Sequence, residues 1–162
     1  MPVLEYCADQ STKSAAIVFI ASIFDSPEKH FTWRNYLEQQ DDEIWVTKVN
    51  KVVVSAIIVR RVNMLSGLWG IAIGMVATAP NHRNKGLAKS LINAAVKHYD
   101  ALGAIFAVLW ARKELLPVYQ SAGFTNVVRE YDCIINLQNT TDGFDEGLSF
   151  LDFNSANHIA LD

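Results

Sequence analysis

Cysteine is nearly missing from this chain: Cys7 and Cys133 stand alone among 162 residues. Two isolated thiols supply no disulfide framework, and they fit a reducing compartment as ordinary core residues. Histidine is sparse too. His30, His82, His98 and His158 show no i, i+4 pairing and no cysteine at ligand spacing, so no metal is expected. Neither sign of charge dominates. Fourteen Lys and Arg against seventeen Asp and Glu leave a formal charge of -3, which gives no basic footprint for nucleic acid. No uncharged apolar run approaches the roughly 18 residues of a membrane span. The start, Met1-Pro2-Val3-Leu4-Glu5, lacks the basic and then apolar pattern of a secretory leader. A soluble, cytoplasmic protein without membrane contact is expected.

What is present suits one folded domain. A hydrophobic content of 51% with 19% charged residues argues against disorder, and the length allows a substantial core. Residues 3–8 read as a strand, followed by a helix capped by Ser11 or Thr12. Its apolar face joins Ala15, Ile17, Val18, Ile20, Ala21 and Phe24. A second helix is expected over 31–40. Strands over 44–49 and 52–61 flank Asn50-Lys51, which sits where a hairpin turn belongs. Another strand covers 69–79 and ends at Pro80. Leu87, Leu91, Ala95, Tyr99 and Leu102 then recur at helical spacing up to Gly103. An apolar strand from 104, a short helix over 114–122 ended by Gly123, and a last strand over 127–137 complete the order. The pattern predicts a mixed α/β domain with about six to seven strands, an antiparallel meander first and crossover helices after it. Residues 1–138 form that domain. Residues 139–162 form an acidic tail punctuated by Phe144, Phe150, Leu151 and Phe153, either docked on the domain or placed at a homodimer contact.

The chemically informative stretch follows the third long strand: Val76-Ala77-Thr78-Ala79-Pro80-Asn81-His82-Arg83-Asn84-Lys85-Gly86-Leu87-Ala88-Lys89. A strand ends, a basic loop turns, and a helix is expected to begin at Asn84 or Lys85. Helix N-termini carry unpaired N–H groups and partial positive charge, which suits phosphate. Gly86 admits a ligand to the backbone, and Ala88 keeps the next turn small. No Asp or Glu balances Arg83, Lys85 and Lys89 at this end of the dipole. The residues leave two readings open, a phosphate cradle or a solvated basic helix start capped by Asn84. A Walker A loop would need glycines where Arg83 and Ala88 stand, and no G-x-G-x-x-G occurs.

Arg83-Asn84-Lys85-Gly86-Leu87-Ala88 resembles the R/Q-x-x-G-x-G/A signature of the GNAT superfamily of acyl-CoA-dependent N-acetyltransferases. Its surroundings strengthen the resemblance: the strand end before it, the long helix after it, and Val118-Tyr119-Gln120-Ser121-Ala122-Gly123-Phe124, which is similar to the family's Tyr-x-x-x-Gly-Phe segment. The likeness spans about residues 69–124. It implies a central sheet splayed between strands 69–79 and 104–111, with acetyl-CoA as co-substrate and no metal. Val76, Ala77 and Thr78 would bond the pantetheine amides through main chain. Arg83, Asn84, Lys85, Gly86, Leu87, Ala88 and Lys89 would hold the pyrophosphate, chiefly through N–H groups.

The implied reaction is direct acetyl transfer to a primary amine of a small molecule or peptide, with Tyr119 as the general acid for the departing thiolate. A phenol with a pKa near ~10 is still protonated at neutral pH. The competing role for Tyr119 is packing beside Leu115 and Ala122. The base is open among Asp25, Glu28, His30, Glu43, Asp132 and ordered water, because strand 69–79 carries no carboxylate. That absence keeps a second class of function in view, an acyl-CoA-binding sensor or interaction module with little chemistry. Ala111-Arg112-Lys113 also departs from the family, which often places an asparagine there. Trp33, Trp45, Trp69 and Trp110 are expected mainly in the core, with Phe31 and one or two of them available to line an acceptor pocket.

Overall fold

A left-handed pair of residues makes the first reversal of the sheet. Asn50 (φ 51°) and Lys51 (φ 66°) both occupy the region that a two-residue hairpin turn demands. They join β2 (Glu43–Val49) to β3 (Val52–Asn63) in the computed structural model, which describes residues 1–25, 32–64, 66–110, 113–126 and 132–136. The other elements are β1 (Val3–Tyr6), α1 (Gln10–Phe24), α2 (Trp33–Glu38), β4 (Trp69–Thr78), α3 (Leu87–Ala101), β5 (Phe106–Trp110), α4 (Leu116–Ser121), β6 (Thr125–Asn126) and β7 (Asp132–Asn136). Seven strands are thus found among the described residues, with helices after β1, β4 and β5, and the fold is a mixed α/β one as expected.

The chain divides into two compact units, Met1–Val59 with Met75–Leu91 and Arg60–Gly74 with Ile92–Asp162. In the first unit, β1 pairs antiparallel with β2 and β2 antiparallel with β3. The end of β4 lies beside β3, where the Ala79 N–H donates to the Val54 carbonyl at 2.9 Å. Helix α1 buries Ala16, Ile17, Ile20 and Ala21, and packs on α2 and β2. Its buried face is narrower than its composition suggests, since Val18 remains 47% exposed. Its cap is Asp9, not Ser11 or Thr12: the Asp9 carboxylate accepts the Thr12 N–H at 2.8 Å. An Asp three residues before Thr12 is the better acceptor, which leaves Thr12 as the donor. Cys7 is buried here, and burial pushes its thiol up to about 12.

In the second unit, β4 pairs parallel with β5 from Ile71↔Ala107 to Ile73↔Leu109. β5 pairs antiparallel with β7, and β7 antiparallel with β6. Within the last strand expected over 127–137, the described residues hold β7, Asp132–Asn136, while residues 127–131 and 137 lie outside the described ones. Ile105, Phe106 and Val108 form a core against which Val62, Met64 and Ala72 pack. Gly70 is required by this packing, because a Cβ there would meet three ring carbons of buried Phe106 at 2.6 Å. Arg61 lies over the Trp69 ring, 4.0 Å from its centroid. The tail 139–162 lies outside the described residues. No helix among the described residues is long and apolar enough to cross a membrane.

Candidate functional site

All ten residues singled out around the basic loop fall in the first unit. Val76, Ala77 and Thr78 end β4; Arg83, Asn84, Lys85 and Gly86 form the loop; Leu87, Ala88 and Lys89 open α3. The strand does not arrive straight. Met75, buried, has φ 48°, a left-handed conformation inside a strand that interrupts the regular pleat two residues past the last pair with β5. Such a backbone costs a residue with a Cβ about 1–2 kcal/mol, so the surrounding packing has to hold it.

Successive strand residues turn their N–H and C=O groups to opposite edges. Ala79 faces β3 through its bond to Val54, and Ala77 therefore faces β3 as well. Val76 and Thr78 turn their main chain to the opposite edge. Three polar contacts fix this end of the strand. The Ser55 hydroxyl donates to the Ala77 carbonyl at 3.0 Å and lies 2.9 Å from the Thr78 hydroxyl, while the Arg83 Nε donates to the Thr78 carbonyl at 3.1 Å. Ser55 is wholly buried.

After a single turn of 3-10 helix at Pro80–His82, the chain passes through Asn84 (φ 59°) and Gly86 (φ 74°) before α3 begins at Leu87. The helix thus starts two or three residues later than the sequence suggests. Its first intrahelical bond runs from the Ser90 N–H to the Gly86 carbonyl at 2.9 Å, and two left-handed residues cannot belong to a right-handed helix. This leaves the N–H groups of Leu87, Ala88 and Lys89 ahead of the first intrahelical donor, on the positive end of a fifteen-residue helix with no acid in its first turn. A Cβ built on Gly86 meets nothing within 4 Å, so the space over it is open. Lys85 donates to the Asn81 carbonyl at 3.0 Å, and both Arg83 and Lys85 are exposed. Free N–H groups, the cations Arg83, Lys85 and Lys89, and a first helical turn without an acid come together here. Chemically, the segment can take an anion.

Tyr119 lies on α4 in the second unit, 5% exposed, and its carbonyl accepts the Ala122 and Phe124 N–H groups at 3.0 and 3.1 Å. Among the proposed bases, Asp25 is exposed and accepts the Trp33 N–H at 2.8 Å, which joins the end of α1 to the start of α2. Glu43 is exposed at the start of β2, and Asp132 stands opposite Trp110 in the β5–β7 ladder. Glu28, His30 and Phe31 lie outside the described residues, as do Ala111 and Arg112. Trp45 is buried; Trp33 and Trp69 are partly so. No group of three or more metal-ligating side chains occurs among the described residues.

Sequence reasoning missed Ser55 and the backbone at Met75. Ser55 had one visible signal, a single hydroxyl within Val52-Val53-Val54-Ser55-Ala56-Ile57-Ile58-Val59. Met75 had none.

A family model described as an acetyltransferase (GNAT) domain matches residues 7–133. No curated protein matches the sequence. Among solved structures, the chain is similar to a Trypanosoma brucei acetyltransferase (TM-score 0.65, 18% identity, 80% of this chain and 96% of that one). It is also similar to glucosamine-6-phosphate N-acetyltransferase from Arabidopsis thaliana (TM-score 0.65, 14% identity, 80% and 95%). A third similarity is to a chain of the NatC complex bound to Gag peptide and CoA (TM-score 0.65, 18% identity, 84% and 98%). At these identities the likeness is one of fold.

Proposed function

This chain belongs to the GNAT acetyltransferase family, and from that premise we propose that it transfers an acetyl group from acetyl-CoA to a primary amine of a small molecule or peptide. The observation that carries the reading is the basic loop: open space over Gly86, unpaired N–H groups at the mouth of α3, and no acid in the first turn. The diphosphate of coenzyme A supplies the charge this surface lacks. Arg83, Lys85 and Lys89 attract it, and the N–H groups from Gly86 to Lys89 bond it. The pantetheine arm pairs with the edge of β4 to which Val76 and Thr78 turn their main chain, while Ala77, bonded to Ser55, keeps that edge in place. A solved relative in fold is bound to CoA, which supports the choice of carrier.

The reaction follows from the carrier. The neutral amine attacks the thioester carbonyl, the C–N bond forms, the C–S bond breaks, and the thiolate takes a proton. Tyr119 is proposed as the donor on the strength of the Tyr-x-x-x-Gly-Phe segment. Base candidates remain Asp25, Glu28, His30, Glu43 and Asp132, with ordered water. The acceptor is left at the level of an amine, since the fold relatives include one acting on a sugar phosphate and one bound to a peptide.

The absence of any carboxylate on β4 favours a second reading, a domain that binds acyl-CoA without turning it over. One paired measurement separates the two. Acetyl-CoA is titrated against thermal unfolding, and free thiol release is followed over a panel of amines. Stabilisation with amine-dependent thiol release is expected; stabilisation alone identifies a sensor, and no stabilisation removes coenzyme A from both readings.

A further inference from the structure

Strand β1 is the outer strand of the first unit: among the described residues it pairs with β2 alone. The Cys7 N–H donates to the Ile44 carbonyl at 2.9 Å, so Cys7, Glu5 and Val3 turn their main chain to β2. Leu4 and Tyr6 turn theirs to the open edge, and Pro2 continues the alternation. An edge of this kind is a template for another strand unless something blunts it. Val3 (56% exposed), Leu4 (37%) and Tyr6 (43%) leave it apolar on both faces. Its one charge, Glu5, is paired with Lys48 of β2, and no lysine stands on it.

Pro2 has no N–H to offer, which ordinarily spoils an edge for pairing. The Tyr6 carbonyl is already taken, since it accepts the Ala8 N–H at 3.0 Å. These two defects cancel in one register. When a second β1 lies antiparallel with Leu4 opposite Leu4, the two leucines exchange N–H and carbonyl. Each Tyr6 N–H then donates to the Pro2 carbonyl across from it, and the missing donor faces the occupied acceptor. The neighbouring registers waste groups. With Leu4 opposite Pro2, the Leu4 carbonyl meets no donor; with Leu4 opposite Tyr6, the Leu4 N–H meets a carbonyl in use.

We infer that β1 is a homodimer interface, at which two copies of this chain pair their β1 strands antiparallel about a two-fold axis at Leu4. In this register Pro2 lies against the Tyr6 ring of the other copy, which already packs on Trp45 with ring centroids 5.7 Å apart. Val3 lies opposite Glu5, whose charge Lys48 has neutralised. The strand has four residues, so the contact belongs to the small, concentration-dependent class of interface. It is independent of the coenzyme A reading and of the tail at 139–162.

Sedimentation velocity from low micromolar to sub-millimolar protein tests it, and the wild type is expected to shift from monomer to dimer over that range. Leu4→Lys and Leu4→Glu each set like charges opposite one another on the axis, and each is expected to weaken the dimer at least about tenfold. Mixing the two variants is expected to restore dimers, because a residue that faces its own copy is repaired by the opposite charge. Val52→Lys places a charge on another exposed apolar residue, at the β2–β3 turn, and is expected to stay within about twofold of the wild type. Hydrogen exchange on the wild type gives a reading free of any substitution. The Leu4 and Tyr6 amides are expected to exchange several-fold more slowly in concentrated than in dilute protein, while the Val3 and Glu5 amides, turned to β2, are unchanged. A chain that is monomeric throughout overturns the inference. So does a dimer that survives both Leu4 variants, a mixture that stays monomeric, an equal loss in Val52→Lys, or Leu4 and Tyr6 amides indifferent to concentration.

Discussion

Gly70 and Gly86 stand sixteen residues apart, and the protein needs each to be glycine for opposite reasons. At Gly70 the backbone is ordinary and the space is full, for the Phe106 ring lies 2.6 Å from where a Cβ would be. At Gly86 the space is empty and the backbone is what excludes a side chain, with φ at 74°. The first glycine is a packing residue in the second unit. The second holds a loop open in the first unit, over N–H groups that α3 leaves unused. A sequence shows the same letter in both places. The difference separates a glycine kept by its neighbours from one kept by its backbone.

Substitutions at these two positions break the comparison most directly. Gly70→Ala is expected to cost about 3 kcal/mol, the upper part of the range for forcing a methyl group into a packed core, because the Phe106 ring is itself fully buried. Urea unfolding measures it, and the double change with Phe106→Leu is expected to recover part of the loss. A Gly70→Ala protein as stable as the wild type would show that the ring moves freely. Gly86→Ala is expected to cost only about 1 kcal/mol in stability, through its left-handed backbone. Gly86→Val is expected to reduce coenzyme A affinity at least tenfold, since a branched side chain fills the space a diphosphate would use. Retained affinity in Gly86→Val removes the diphosphate from this loop.

Lys51 sharpens the point about backbone alone. It too is left-handed, at φ 66°, in an exposed turn where nothing calls for a lysine. Lys51→Gly is expected to stabilise the protein by up to about 1 kcal/mol and to leave ligand binding unchanged, as read by thermal unfolding with and without coenzyme A. The smallest effect expected is at Cys7. Burial raises its thiol to about 12, so the folded state disfavours the thiolate. The folded pKa lies above the unfolded value near ~8.5, so this contribution is complete below pH 8 and declines as pH rises from there toward 12. Native Cys7 is expected to react with a disulfide reagent at pH 8 far more slowly than in urea. Rapid native labelling would show that the first unit opens at β1.

Much of the fold was legible because local chemistry sets it. Asn50-Lys51 marked the hairpin, and Gly103 (φ 98°) and Gly123 (φ 96°) mark the left-handed turns that close α3 and α4. The loop from Arg83 to Lys89 was legible as a unit, since its charges and its glycine stand together in the chain. What failed to show was set at a distance or by backbone geometry. The start of α3 slipped to Leu87 because Asn84 is left-handed, and asparagine takes either hand. The Ser55 bonds join residues more than twenty positions apart, so only the lone hydroxyl was visible and not its partners. The turn of the backbone at Met75 depends on the packing around it, and methionine gives no sign of it.

The tethers on Arg83 and Lys85 bear on how quickly a ligand can be received. Each side chain already donates to a carbonyl of its own neighbourhood, Arg83 to Thr78 and Lys85 to Asn81. Two long, flexible cations have thus surrendered much of their rotamer freedom before any anion arrives, and folding has absorbed that entropy loss. An anionic ligand arriving here is then expected to need little rearrangement of these two side chains, and its association is expected to slow as ionic strength rises.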